Sequence, residues 1–207
     1  MDKPLLADSP PEFREFILTL GWAVFQWNSF ERAVKQLLTE LVRSGNPFDM
    51  RGEILTAELG SRQLADALRA FGNDIFRGKD EGALVHCAKL FDGVLAYRNT
   101  YIHNIHMVVP EKLAEPSPDK YIACFTTTSA RSNVRDWHAT VALADLENFV
   151  KWSDGGAIYA TGLRFSHLCN FPGPQRPLPD KPPLPPPLTK NARMRRELLY
   201  PPPPSPE

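Results

Sequence analysis

The chain has 207 residues, 43% of them hydrophobic, and its 24 Lys+Arg are balanced by 24 Asp+Glu. That length suits one domain with a sizeable core plus a tail, and zero net charge argues against a general polyelectrolyte grip on nucleic acid while leaving room for a local basic site. Cys87, Cys124 and Cys169 are odd in number and far apart, as buried thiols of a reducing compartment would be; the N-terminus lacks the pattern of a leader and no apolar run is long enough to span a bilayer, so a cytoplasmic chain off the membrane is expected.

A long first helix is predicted from a cap at Ser9, with prolines in its first turn, to a stop at Gly45. Phe13, Ile17, Leu20, Val24, Trp27, Phe30, Val34, Leu37 and Leu41 recur at helical spacing and mark its buried stripe. Trp22, Phe25 and Trp27 are assigned to bundle packing rather than to base stacking. "FDMRGEILTAEL" reads as a short helix. "SRQLADALRAFGNDIF" reads as another, with Ser61 at its cap and Leu64, Leu68 and Phe71 on one face. "DEGALVHCAKLFDGVLAYRNTYIHNIH" is the fourth, with Asp80 and Glu81 favouring its N-terminal dipole and Leu84, Ala88, Phe91 and Leu95 as the apolar row.

After Pro110 the composition turns to Thr, Val and aromatics. "YIACFTTTS" and "NVRDWHATVAL" are expected to form a β-hairpin. "LADLENFVKWSDGGAIYATGLRFSHL" then returns to helix, with Gly155–Gly156 a candidate break. The fold class expected is therefore mostly α: an up-and-down helical bundle over residues 1–171 with a small β-hairpin inserted before the last helix. Residues 172–207 hold 14 of the 21 prolines and form a proline-rich tail, extended polyproline-II stretches around one basic piece, "TKNARMRRELL". Such a tail is either disordered or draped on the surface, or it docks on an aromatic groove or an anionic partner.

Two charges stand in apolar rows. Arg98 extends the stripe of the fourth helix, and Glu31 falls between Trp27 and Val34 in the first. A charge buried without a partner costs several kcal/mol, so a partly buried Glu31–Arg98 ion pair between the two helices is expected. Asn99, His103 and His106, at i, i+4 and i+7, share another face, flanked by Tyr97 and Tyr101. Arg98 and His103 lie about 140° apart on an ideal helix, so a common site needs the helix to end or kink between them, or the long arginine to wrap round.

These residue types suit metal-independent cleavage of RNA. A histidine near neutrality can move the 2′-hydroxyl proton or protonate the leaving oxygen. A guanidinium can stabilise charge developing at phosphorus, and an amide can orient a hydroxyl or phosphate oxygen. One helix supplies few groups, so a two-fold homodimer would double them into a composite site. The spacing of His103 and His106 would admit a metal, but no third ligand declares itself, and none is expected. Cys87 lies beside the apolar row and reads as core, not nucleophile. No phosphate loop, dinucleotide fingerprint, nucleophile elbow or zinc-protease motif is present, and no cofactor is expected.

Arg98, then Asn99, then His103 after Thr100-Tyr101-Ile102, late in a long helix, resembles the motif of the HEPN domains (higher eukaryotes and prokaryotes nucleotide-binding). The "WNSFE" of the long first helix is also similar to bacterial members. The resemblance covers roughly residues 10–170 by architecture and these few positions by motif; the hairpin and the proline-rich tail depart from the minimal bundle. It implies a helical bundle and a homodimeric, metal-independent endoribonuclease of the kind found among toxin–antitoxin, phage-defence and RNA-processing proteins, with Arg98, Asn99 and His103 catalytic. His106, Tyr101 and Glu31 would support the site or bind substrate. It equally accommodates a non-catalytic member that dimerises or binds a nucleotide, an antitoxin or another partner protein.

Overall fold

The computed structural model describes residues 11–43, 49–75, 81–102, 105–109, 122–125, 140–169 and 173–188. The fold is mostly α. Its helices are α1 (Pro11–Val42), α2 (Arg51–Ala57), α3 (Ser61–Ala70, prolonged by a π turn, Phe71–Ile75), α4 (Glu81–Tyr101) and α5 (Leu143–Arg164). Short extended segments, Ile105–Val109, Ile122–Phe125 and Thr140–Val141, lie in antiparallel register between α4 and α5 in the chain. The residues that join them, and with them the turn of the expected hairpin, lie outside the described residues. So do Ser9, Gly45, Asp80 and His103. His106 stands in the extended segment Ile105–Val109, so the expected run of the fourth helix through His106 is corrected: α4 ends at Tyr101 and does not carry Asn99 and His106 on one helical face.

Helical periodicity places the core well. Trp27, Phe30, Val34 and Leu37 of α1, Leu64 and Leu68 of α3, and Leu84, Ala88 and Phe91 of α4 are all buried. The centre is an aromatic trio. Trp27 and Phe91 stand 5.0 Å apart between ring centroids, and Phe30 meets Phe91 edge-on at 5.1 Å. Aromatic pairs of this kind, one tilted and one edge-to-face, add about 1 kcal/mol each beyond the area buried.

The up-and-down expectation is corrected by the helix directions. Phe30 packs on Gly156, and Arg164 reaches Gln36 and Glu40, so α1 and α5 advance together and are parallel. Arg98 lies over Trp27 while Phe91 meets Phe30, so α4 opposes α1. Arg69 pairs with Asp92 and Gly72 sits against Leu84 and Val85, so α3 also opposes α4. α1, α3 and α5 thus run one way and α4 alone among the long helices runs back. Two other expectations are revised. Ser61 is the first residue of α3, not its cap; the cap is Gly60, whose N–H donates to Gln63 Oε1 at 2.8 Å. α5 is not broken at Gly155–Gly156 but runs through both.

Gly156 is there for space. A Cβ at this position would stand 2.4 Å from Phe30 Cζ, inside the aromatic core. Gly155 faces outward, where an added Cβ would meet only Pro182 Cβ, at 3.9 Å. Gly156→Val is therefore expected to lower stability by about 2–3 kcal/mol through overpacking, whereas Gly155→Ala is neutral or stabilising by up to about 1 kcal/mol through helix propensity. Urea unfolding of the two variants checks the contrast, and equal effects would contradict it.

The polar side of the bundle is anchored at Glu40, only 2% exposed. It accepts from Arg43 Nη1 at 3.1 Å and from Arg164 Nη2 at 3.2 Å, and Arg43 also pairs with Glu53 of α2. One buried carboxylate thereby links α1, α5 and α2.

Candidate functional site

α4 ends at Tyr101, and its last turn carries Arg98 and Asn99. The residues around them tie that turn to α5. Tyr97 packs against Trp152 at 4.9 Å and Tyr101 at 5.3 Å, and Tyr101 meets Phe149 at 6.5 Å. This aromatic ladder pins the end of α4 to the start of α5. Burial, with the field of Asp145 behind it, raises both phenol pKa values, and Tyr101 is further raised by Tyr97. Tyr101 is 7% exposed, so its ring is part of the core beneath the site rather than on its surface.

Arg98 is half-buried. Its guanidinium lies over the Trp27 ring, 5.7 Å from the centroid, and its Nη1 donates to Asn99 Oδ1 at 3.1 Å. Its Nε is buried without a hydrogen-bond partner among the described residues, and so is the indole Nε1 of Trp27 beneath it. Burial lowers the guanidinium pKa, and the Glu31 carboxylate, acting through space, raises it in part. Arginine remains cationic at neutral pH under any such shift. Asn99 is exposed beside it.

The expected Glu31–Arg98 ion pair is not formed. Glu31 instead faces Lys35, 3.8 Å away on the same helix, and takes a long hydrogen bond from Ser61 Oγ at 3.5 Å. The two charges sense each other without touching, because Arg98 lies flat on Trp27, and a guanidinium over an indole face gains cation–π energy and keeps its stem packed. The sequence carries no signal for that choice. Trp27 lies 71 positions from Arg98, and its helical spacing identifies it only as core.

Trp22 and Phe25 are the other departure. Expected to pack inside the bundle, they are 51% and 56% exposed, stacked on each other at 5.1 Å with Leu18 exposed one turn earlier. They lie on the face of α1 turned away from the core. Apolar residues occur all round this part of the helix, so spacing alone does not separate the inner face from the outer. Trp22 shares a shallow groove with Glu147, Val150 and Lys151, at the level where Phe149 and Trp152 hold the end of α4.

Cys87 and Cys169 are buried, and burial pushes both thiols up to about 12, which suits packing and not nucleophilic attack. Among the described residues no cluster of three His, Cys, Asp or Glu could hold a metal ion, and no helix is long and apolar enough to cross a membrane. Comparison of the chain with protein families, with curated proteins and with solved structures finds no match.

Proposed function

We propose that the chain is a metal-independent endoribonuclease of the HEPN type that works as a homodimer with a composite site. One observation carries this reading. Arg98 stands at the last turn of α4, braced on Trp27, and makes no ion pair among the described residues. Its charge is held in place without being neutralised by a bonded carboxylate, the condition a phosphate-stabilising arginine has to meet.

In the proposed reaction the 2′-hydroxyl oxygen attacks phosphorus as a histidine takes its proton, and a second histidine protonates the departing 5′-oxygen. His103 would supply one role in each copy, Arg98 would stabilise the non-bridging oxygens, and Asn99 would orient them. His106 would bind the adjoining backbone. The β-hairpin belongs to this reading as a wall beside the end of α4. The exposed stripe of Leu18, Trp22 and Phe25, at the same end of the bundle, is the face that would pair two copies. An effector role in a toxin–antitoxin or defence system, with an antitoxin as partner, follows from the family resemblance alone.

That exposed stripe also favours a second reading, a non-catalytic module that dimerises or binds a nucleotide or protein. The discriminating experiment incubates purified protein with single-stranded RNA in excess chelator. Cleavage by the wild type and its loss in folded His103→Ala support the enzyme. Cleavage that survives that substitution overturns it, and an inert wild type that still self-associates favours the module.

A further inference from the structure

Residues 173–188 do not trail from the bundle. They run as an extended strap antiparallel to α5 and parallel to α4. Pro179 lies at Gly162, Pro182 at Gly155 and Pro185 at Gly93, where a Cβ would stand only 2.6 Å from Pro185 Cγ. Half-buried Pro179, Pro182, Pro185 and Leu188 alternate with pairs of exposed residues, 180–181, 183–184 and 186–187. This three-residue period is that of a polyproline-II helix. Its rise of about 3.1 Å per residue puts successive inward prolines about 9 Å apart. Gly155 and Gly162, two turns apart on α5, are spaced by about 10.5 Å, close to the repeat of the inward prolines; Gly162 and Gly93 are the tight seats, and Gly155 is in ordinary contact with Pro182.

The hydrogen bonding follows the same logic. Proline offers a carbonyl and no N–H, and the bundle answers with side-chain donors. His86 Nε2 meets the Pro182 carbonyl at 2.8 Å, and the Tyr97 hydroxyl donates to the Pro186 carbonyl at 3.0 Å. His86 and Tyr97 are themselves propped by Tyr159 and Trp152. Aromatic donors over small residues make up the usual receptor for this conformation. None of the strap residues is fully buried, and both bonds read backbone carbonyls. The contact therefore recognises a conformation and a proline spacing rather than one unique sequence.

We propose that the α4–α5 face is a polyproline-II binding site, that residues 173–188 are its tethered resting ligand, and that its partner in trans is a proline-rich segment presenting prolines every third residue. The tether acts as a competitor at an effective concentration in the millimolar range. The proposal does not rest on the ribonuclease reading, although the two regions adjoin at Tyr97, which holds both the strap and the last turn of α4.

The test uses the full-length chain and a fluorescein-labelled peptide of residues 173–188, read by anisotropy. With Pro179, Pro182 and Pro185 of the chain changed to serine, the peptide should bind saturably. The wild type should bind it at least about ten-fold more weakly, because its own strap competes. Adding Gly93→Leu to the serine variant should abolish binding, as should serine at the same three positions of the peptide. Equal binding by wild type and serine variant, or binding indifferent to Gly93→Leu, would overturn the proposal. A second measurement avoids variants altogether. A spin-labelled peptide at millimolar concentration should broaden the His86 and Tyr97 ring resonances of the wild-type chain, and their persistence unchanged would show a packing surface only.

Discussion

Arg98→Ala is expected to lower chelator-resistant cleavage of single-stranded RNA by about 10²–10³-fold, the range lost when one donor to a developing oxyanion is removed. Stability should move by less than about 1 kcal/mol. The variant gives up a cation–π contact at 5.7 Å and the packing of the arginine stem, but it also removes a buried Nε that has no partner among the described residues. A large drop in turnover with a nearly unchanged melting curve is the signature of a group that touches substrate. Arg98→Lys keeps the charge and loses the planar fork, so it should recover only part of the rate. His103→Ala, which removes a proton carrier, should cost about 10²–10⁴-fold. Measuring initial rates on one defined RNA in excess chelator, with unfolding curves in parallel, checks all three. Undiminished cleavage by Arg98→Ala would remove the basis of the enzymatic reading.

Glu40→Ala is expected to cost about 3–5 kcal/mol of folding stability, the penalty for breaking a buried ion pair by removing one partner. Glu40 is 2% exposed and receives both Arg43 and Arg164. Removing it deprives two arginines in the bundle of a shared carboxylate, and Arg43 retains Glu53. Glu53→Ala should be milder, about 1 kcal/mol or less, because Glu53 is 37% exposed and its alternative is water. Urea unfolding of the two variants tests the ordering. Similar small losses would mean that the Glu40 cluster balances its own desolvation, as some buried ion pairs do.

Much of the scaffold is legible locally. An apolar residue every three or four positions buries one side of a helix whatever it packs against, so Trp27, Phe30, Val34, Leu37, Leu84 and Phe91 are identifiable as core. The candidate site is half legible. Arg98 and Asn99 sit together on the last turn of α4, His106 stands in the extended segment that follows it, where helical spacing no longer applies, and His103 lies outside the described residues. Glu40 carries no signal in the sequence because its partner Arg164 is 124 positions away. Glu31 and Arg98 are a reasonable pair on charge alone, but an aromatic face wins over a carboxylate.

Which segments are helical, which stripes are apolar, and that residues 173–188 are too rich in proline for helix or sheet are all properties of neighbours within a turn or two, and the amino-acid order suffices for them. Three other features arise only when the helices are assembled. α5 lies parallel to α1, Gly156 makes room for Phe30 rather than breaking a helix, and the strap seats its prolines on Gly93, Gly155 and Gly162. Direction and notch position depend on how distant helices are laid side by side, and no local periodicity encodes that. A glycine shows what it is for only when the atom that occupies its missing side chain is in place.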